Sequence, residues 1–286
     1  MPLVLNEEQR LLRDTAREFL AGNAPVSQLR RLRDEQDALG YDPELWQQMA
    51  ELGWASIILP EAYGGLDFGF MGLGAVLEEP GRTLTASPLF ASAVLGASAI
   101  LLAGTDAQKE ELLPRIASGE LTTARAIDES HHHAPDNIET SAEPTADGWR
   151  LNGRKTFVAD GHSAELLIVA ARAGDTTQLL LVPRDTDGVV VSRTLMVDNR
   201  NAANIDFSDV ALPADALLGS AEQAADVIDQ VLDRGRVALA AEMLGSAQEV
   251  FERTVAYLKE REQFGVKIGS FQALQHRAAQ LQADLE

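Results

Sequence analysis

Residues 260–275 read EREQFGVKIGSFQALQ and connect two segments with helical periodicity. Arg261 stands at the predicted end of a long helix, and a glycine-containing turn follows it. A guanidinium beside a tight glycine turn can hold a phosphate or pyrophosphate through paired hydrogen bonds. Gln272 and Gln275, on the next predicted helix, offer amide groups to a base or a ribose. The alternative is a simple corner between two helices with a solvated arginine.

The segments on either side of this stretch are predicted to be helices. Apolar residues recur every three or four positions between Val227 and Leu258, and no proline occurs in 214–286. This pattern predicts a helix of roughly 35 residues. A second helix is expected to begin near Ser270. It carries no glycine or proline stop signal before Glu286, so we expect the sequence to end within a helix.

Residues 1–120 are also predicted to be helical. Asn6 precedes two glutamates and can cap a first helix, and Asp42-Pro43 is a second start signal. Ser87-Pro88 opens an alanine-rich helix, and Thr105 with Gln108 forms a capping box. The glycine pair after Tyr63 favours a tight turn between helices.

The middle of the chain, 121–218, has the two-residue period of strands. Asn152-Gly153 lies between short alternating runs and predicts a hairpin turn. Further strands are expected at 166–171, 178–182, 189–194 and 205–210. The sequence therefore predicts an α+β multidomain protein: an all-α domain (1–120), a small β-barrel or sandwich (121–218) and a segment of a helical bundle (219–286).

Composition excludes several functions. The chain has 24 basic and 44 acidic residues, a net charge of −20, which disfavours binding to nucleic acids or anionic membranes. It has no cysteine, which excludes disulfides, thiolate metal sites and a cysteine nucleophile. The N-terminal sequence does not resemble a signal peptide, and the apolar run 89–104 is too short to span a bilayer. We therefore expect a cytoplasmic protein without a membrane span.

Three consecutive histidines, His131 to His133, allow two interpretations. Together with Asp128, Glu129 or Asp136 they could form a metal site. Neighbouring residues of an extended segment point to opposite faces, however, and rarely converge on one ion. We therefore favour an exposed loop, or one that contacts a ligand, and predict no metal.

Several motifs together resemble the acyl-CoA dehydrogenase family. R-x-Q-F-G followed by F-Q-x-x-Q, at 261–275, is similar to the family's pattern. The same holds for LPEAYGG at 59–65, LNGRKTFV at 151–158, and the segments 233–236 and 245–248 of the long helix. The motifs occur in the family's order and cover the whole chain.

This resemblance implies a flavoprotein oxidoreductase of fatty acid metabolism. Members of the family bind FAD and oxidise an acyl-CoA thioester to the 2-enoyl-CoA. A carboxylate removes the α-proton, and the flavin takes the β-hydrogen as hydride. Members pass their electrons to an electron-transfer flavoprotein or a similar acceptor, and they form homodimers or homotetramers.

The resemblance also implies which residues form the site. Phe157 matches the aromatic residue packed on the flavin ring, and a strand passes the pyrimidine edge of the flavin. The expected cofactor-binding residues are Ala126, Ile127, Asp128, Phe157, Ala159, Arg261, Gln263, Phe264 and Gln272. Of these, Arg261, Gln263 and Phe264 are expected to reach the FAD of a neighbouring subunit, with Arg261 at the pyrophosphate. Asp233 and Arg236 are expected beside the acyl-CoA.

The sequence also departs from the family pattern. Asp128-Glu129-Ser130 stands where many members have Thr-Glu-Pro, and Ala159 replaces a threonine whose hydroxyl would bond the flavin. The catalytic glutamate of most members lies downstream of the last residue here, and a minority place it at the position of Gly235. The sequence therefore identifies no catalytic residue.

Two main hypotheses follow. The first is a dehydrogenase whose catalytic carboxylate is missing from this sequence. The second is a non-catalytic subunit or fragment that binds CoA thioester and FAD jointly with a partner chain. A helical scaffold unrelated to flavin is the least favoured alternative.

Overall fold

The structure is a computed structural model that describes residues 4–286. Its N-terminal part is helical, and local capping sets the helix boundaries. Asn6 Oδ1 accepts from the backbone N–H of Gln9 at 2.8 Å, and Thr105 Oγ1 accepts from that of Gln108 at 3.2 Å, so both predicted caps are confirmed. The helices are α1 (Glu7–Asn23), α2 (Val26–Asp34), α3 (Pro43–Glu51), α4 (Gly69–Thr83), a π-helical segment (Leu89–Gly96) that continues into α5 (Ala97–Ala103), and α6 (Asp106–Ala117).

The middle part is one seven-stranded sheet that curls into a half-barrel. Its path is β1-β4-β2-β3-β7-β6, with β5 paired to β4. Only β1 and β2 run parallel to their neighbour β4; the other pairs are antiparallel. The strands are β1 (Thr123–Ala126), β2 (Ser141–Thr145), β3 (Gly148–Ala159), β4 (Leu166–Ala173), β5 (Thr176–Pro183), β6 (Val189–Leu195) and β7 (Asn201–Pro213).

The predicted hairpin turn at Asn152-Gly153 is wrong, because both residues lie inside β3. The turn between β2 and β3 comes earlier, between Thr145 and Gly148. Gly153 has φ +143°, and a Cβ there would come within 2.6 Å of Thr140 Oγ1. The register with β7 shifts at this point, so glycine serves a β-bulge rather than a turn.

The C-terminal part begins with a single helix, α7 (Ala221–Glu260), which is 40 residues long. A short hairpin follows, β8 (Glu262–Gln263) with β9 (Val266–Lys267), and then α8 (Gln272–Leu285). The buried residues of α7 all lie between Ala224 and Gly245, and α8 has none. The first part of α7 therefore packs against the sheet and the N-terminal helices, while the rest of the C-terminal segment extends away from them.

The architecture confirms the predicted class: a helical N-terminal domain, a middle sheet domain and a C-terminal helical segment. One apolar cluster joins α5, α6, β4 and α7, a second fills the N-terminal helices, and a third fills the inside of the curled sheet. Between residues 4 and 286, none of the helices combines the length and the apolar character needed to cross a bilayer.

Candidate functional site

A cleft with a cavity volume of about 320 Å³ lies where the sheet meets the first part of α7 and the π-helical segment. Most of its lining is apolar: Phe90, Leu95, Ile127, Phe157, Val158, Leu232 and Leu239. The polar groups at its wall come from Arg125, Asp128, His133, Thr156 and Arg236. A concave, mostly apolar site with a few polar groups is typical of a small-molecule site.

Phe157 forms part of the wall, near the end of β3. Its φ of +50° is unusual for a residue with a side chain, and the register between β3 and β7 shifts between Lys155 and Val158. Its backbone N–H donates to Asn204 Oδ1 at 3.1 Å, which holds this conformation in place. Phe157 as a whole is 41% exposed and lines the cavity, so the bulge presents a flat aromatic face there.

Strand β1 and the residues after it form the edge of the cavity. Ala124 and Ala126 are buried in the interior of the curled sheet. Because side chains alternate along a strand, Arg125 and Ile127 lie on the opposite face and line the cavity. Of the residues predicted here to contact a cofactor, Ile127, Asp128, Phe157 and Ala159 line the same cavity, and Ala126 belongs to the adjoining backbone.

Glu129 forms a buried ion pair with Lys155. Lys155 Nζ lies 2.6 Å from Glu129 Oε1 and 2.9 Å from the carbonyl oxygen of Ile127. The carboxylate also accepts from the backbone N–H groups of Glu139 and Thr140. Burial by itself would raise the pKa of Glu129, but these hydrogen bonds hold that pKa below its ordinary value. Glu129 is therefore fully engaged in tying β1 and β3 to the segment before β2.

The three histidines lie in a loop at the mouth of the cavity. His133 Nδ1 lies 3.0 Å from each carboxylate oxygen of Asp128, and the backbone N–H of Ala134 donates to the same carboxylate. The ring of His131 lies 6.1 Å from that of Phe157. Among residues 4–286, no group of three His, Cys, Asp or Glu side chains is placed to hold a metal ion.

The positions on α7 that resemble substrate-contacting residues lie beside the cavity. Arg236 lines it, and its Nη1 lies 2.6 Å from Oδ1 of the exposed Asp233. Gly235 forms part of the wall, and a Cβ there would lie 2.7 Å from Leu95 Cδ2. Gly235 therefore gives α7 no side chain at this point of the wall. In the family that the sequence resembles, a minority of members have their glutamate at this position.

The second group of predicted cofactor-binding residues does not lie at this cavity. Arg261, Gln263, Phe264 and Gln272 are all exposed, near the far end of α7. Arg261 follows Gly235 by 26 residues, which is about 39 Å along a continuous helix. A single chain therefore does not bring the Phe157 wall and Arg261 together at one cavity.

Three features of the site are not predicted by the sequence patterns: Arg125, Asn204 and the Glu129–Lys155 pair. A signal for Arg125 was available, because it is the lone charged residue in the segment 121–127. Asn204 has no such sequence signal, and Lys155 belongs to the LNGRKTFV segment, which does not indicate its partner. Their roles depend on the pairing of β3 with β7 and on the path of the segment after β1, and both are tertiary features.

Comparison with known proteins matches the chain to three family models. Residues 6–120 match the N-terminal domain of acyl-CoA dehydrogenase, residues 128–210 its middle domain, and residues 225–286 its C-terminal domain. Together these segments cover nearly all of the chain, in the family's order.

Individual relatives agree with these matches. Probable acyl-CoA dehydrogenase YngJ of Bacillus subtilis is 31% identical over 300 residues, covering 100% of this chain and 77% of the relative. Mitochondrial isovaleryl-CoA dehydrogenase of Pongo abelii is 33% identical over 291 residues, covering 97% of this chain and 68% of the relative. A chain of the ChsE4-ChsE5 complex from Mycobacterium tuberculosis superposes with a TM-score of 0.89 at 26% identity, covering 100% of this chain and 76% of that chain.

Proposed function

The chain belongs to the acyl-CoA dehydrogenase family, and on this premise we propose that its cavity holds a flavin beside an acyl-CoA thioester for α,β-dehydrogenation to the 2-enoyl-CoA. The family is one of FAD-dependent oxidoreductases. The observation that carries the proposal is the strained bulge at Phe157, which presents an aromatic face to an apolar cavity.

The residues at the cavity fit a planar isoalloxazine ring. Phe157 and Val158 offer apolar wall, and the backbone of 126–128 and of Ala159 offers hydrogen-bonding groups to the ring's polar edge. The flavin, when bound, supplies the acceptor for the β-hydrogen of the substrate. This chain's contribution is to orient the ring and the thioester and to keep water from the reacting carbons.

We further propose that each FAD is shared between two chains. The cavity has Phe157, whereas the cation suited to a pyrophosphate, Arg261, is about 39 Å away along α7. A second chain can bring its own Arg261, with Gln263, Phe264 and Gln272, to the first chain's cavity. The exposure of these four residues supports this arrangement, because each is free to contact another chain.

The substrate side of the cavity is assigned to the first part of α7. We propose that Asp233 and Arg236 lie beside the CoA thioester, and that no carboxylate on α7 acts as the α-proton base, because the position is Gly235. Electrons are proposed to pass to an electron-transfer flavoprotein or a similar acceptor. We also propose that the boundaries between the three domains follow residues 120 and 218.

A second candidate is a non-catalytic subunit that binds FAD and CoA thioester jointly with a different chain of the family. The absence of a side chain at Gly235 favours it, as does the likeness to a chain of a two-component complex. Native mass spectrometry separates the two candidates. A homo-oligomer that holds FAD supports the first, and a one-to-one complex with another family member supports the second.

Mixing two inactive variants tests whether the flavin site is shared. We expect Arg261→Ala and Phe157→Asp each to abolish tight FAD binding when prepared alone. If the sites are composite, co-refolding the two variants creates mixed dimers with one intact site each. About a quarter of all sites then recover FAD, measured as bound flavin absorbance. No recovery in the mixture, with FAD bound normally to unaltered protein, would contradict the shared site.

Replacing Gly235 by glutamate tests the assignment of the base. Only the tip of Leu95 obstructs a side chain at this position, so the variant can accommodate the carboxylate. We expect Gly235→Glu to catalyse exchange of the α-proton of an acyl-CoA for deuterium in D₂O, which mass spectrometry measures. Gly235→Gln is the matched control, because it has a side chain of similar size without the carboxylate. Exchange by the unaltered chain would show that it already has a base, and would contradict the proposal that α7 supplies none.

A further inference from the structure

Arg125 is the charged residue of β1, and its side chain faces the cavity. Its neighbours Ala124 and Ala126 are buried in the interior of the curled sheet. Because side chains alternate along a strand, Arg125 lies on the other face of β1 and lines the cavity. It lies directly before the segment 126–128, whose backbone offers hydrogen-bonding groups to the polar edge of a flavin ring. The guanidinium is therefore on the sheet side of the cavity, whereas the substrate is assigned to the side of α7.

The guanidinium lacks a hydrogen-bond partner within the described chain. Nε and Nη1 of Arg125 are buried, and neither has an acceptor among residues 4–286. In the same range, no carboxylate oxygen lies within the 4.0 Å of an ion pair with Arg125. Buried N–H groups are normally satisfied, so these two call for acceptors on a molecule bound in the cavity. An arginine side chain has donors only, so it cannot face a donor of that molecule.

The charged groups around Arg125 leave it uncompensated. Asp128 attracts the guanidinium, but the Asp128 carboxylate is held by His133. Arg236 of α7 repels it, and is itself paired with Asp233. Burial lowers the pKa of Arg125 to about 10, so the group keeps its charge at neutral pH. The sheet side of the cavity therefore carries an unpaired positive charge.

The polar edge of a flavin ring offers what this guanidinium lacks. Along that edge, N1 and the C2 carbonyl oxygen accept hydrogen bonds, whereas N3–H donates one. When a hydride adds at N5, two electrons and one proton enter the ring together, and the negative charge is shared between N1 and the C2 carbonyl oxygen. Hydrogen bonds to an ionised acceptor are stronger than those to a neutral one. A cation at this place therefore stabilises the reduced ring more than the oxidised ring.

We propose that Arg125 binds the flavin ring at N1 and the C2 carbonyl and raises its reduction potential. The inference rests on the proposed function and deepens it, because it names a side chain that favours reduction of the bound flavin. The two acceptors satisfy the buried N–H groups in both redox states, and the reduced ring also supplies the missing counter-charge. An interaction that strengthens as charge develops accelerates the step that creates the charge, which here is hydride transfer from the acyl-CoA.

The alternative is an arginine that only fills the wall of the cavity. Replacing such a residue would weaken the binding of oxidised and reduced FAD to the same extent. The reduction potential of bound FAD depends on the ratio of these two affinities, so it would then stay unchanged. The potential therefore separates a residue that tunes the flavin from one that only supports the site.

The test measures the midpoint potential of FAD bound to the protein without acyl-CoA. The protein is reduced with dithionite in equilibrium with a dye of known potential, and flavin absorbance follows the reduction. We expect the potential of the unaltered protein to lie above that of free FAD. Arg125→Gln keeps an amide donor but loses the charge. It should bind reduced FAD, relative to oxidised FAD, at least ten-fold less tightly, which lowers the potential by about 30 mV for a two-electron couple.

Two further variants complete the comparison. Arg125→Lys keeps the charge and should recover at least half of the potential that Arg125→Gln loses. Arg172→Gln is the matched control, because Arg172 is an exposed arginine of β4 beside Asp175 and does not line the cavity. It should leave the potential unchanged.

Each other result counts against the inference. An equal potential in Arg125→Gln and the unaltered protein would overturn it and leave the proposed function standing. So would a potential of the unaltered protein at or below that of free FAD. This second comparison needs no variant, so it decides the outcome if Arg125→Gln does not hold FAD. Failure of the unaltered protein to bind FAD supplied in excess would overturn the proposed function, and this inference with it.

Discussion

At the scale of single residues, the wall of the cavity depends on one buried cation. Lys155 is fully buried and is satisfied by the Glu129 carboxylate and the Ile127 carbonyl. Removing one partner of a buried pair leaves the other charged and desolvated, which costs far more than the net worth of the intact pair. Lys155 thus fixes the backbone on both sides of the cavity edge.

We expect Lys155→Met to lower the free energy of unfolding by about 3–5 kcal/mol, because Glu129 loses its counter-ion. Urea unfolding followed by tryptophan fluorescence measures the change. Arg115→Ala is the matched control, since the Arg115–Glu120 pair is exposed and is expected to contribute less than about 1 kcal/mol. A loss for Lys155→Met as small as that of the control would contradict the structural role.

Asp160 is a second residue whose charge the fold disfavours. Burial is the main cause that raises its pKa to about 7, opposed by Arg200 and by a hydrogen bond from Asn201, and assisted by the nearby Glu242. The folded state therefore holds a proton that the unfolded state has released. Stability from this group is present at low pH and is lost as the pH rises from the ordinary pKa of aspartate towards 7.

We expect Asp160→Asn to remove this pH dependence. The free energy of unfolding of the variant, relative to the unaltered protein, should rise by up to about 1.4 kcal/mol per pH unit between pH 5 and 7 and stay level above pH 8. Urea unfolding at a series of pH values measures the difference. A difference that is constant over this range would show that the Asp160 pKa is not raised.

At the scale of elements, α4 and α7 cross with their backbones in close approach. A Cβ on Gly245 would lie 1.8 Å from the carbonyl oxygen of Glu78, and one on Gly81 would lie 2.0 Å from that of Glu242. Both oxygens belong to the backbone, so no change of side-chain rotamer can relieve the clash. Glycine at these two positions therefore sets the spacing between α4 and α7, and α7 is the helix that lines one wall of the cavity.

Alanine substitutions on two helical glycines test this crossing. We expect Gly245→Ala to destabilise the protein by about 1–3 kcal/mol, because the helices must separate. Gly22→Ala is the matched control: nothing lies within 4 Å of a Cβ there, and better helix propensity should stabilise α1 by about 0.5–1 kcal/mol. Thermal unfolding of both variants is the measurement, and equal effects of the two would refute the close approach.

Local signals along the chain predicted most elements. The caps at Asn6, Asp42 and Thr105 each form as expected, since they depend on bonds between residues two or three positions apart. The Asn152-Gly153 signal failed because the same dipeptide also suits a bulge, and only the contact of Gly153 with Thr140 selects between the two. The long helix extends to 40 residues, from Ala221 to Glu260.

At the scale of the whole molecule, one face of the second half of α7 is left uncovered within one chain. Met243, Val250 and Tyr257 follow one another at seven-residue intervals, and each is more than half exposed. Such spacing places side chains in one stripe along a helix, as in helices that pack side by side. The stripe leads towards Arg261, so one contact between chains could cover it and complete the proposed flavin site.

We expect the protein to self-associate through this stripe. Val250→Glu combined with Tyr257→Glu should reduce the mass measured by light scattering to that of a smaller species and weaken FAD binding. Val197→Glu is the matched control, because Val197 is fully exposed in the loop before β7 and outside the stripe. An unchanged mass for the double variant would remove the stripe from the interface.

The sequence by itself determined the three-part architecture and the family, and it predicted which residues form the flavin site, because caps, periodicity and short motifs are local properties. Tertiary structure alone decided how those residues are distributed. It united Phe157 with Asn204 by strand pairing, and it separated Arg261 from the cavity by the length of α7. It also left Arg125 in an apolar cavity without a counter-ion. The physical reason is that burial and unmet hydrogen bonds depend on neighbours distant in sequence, which no local pattern records.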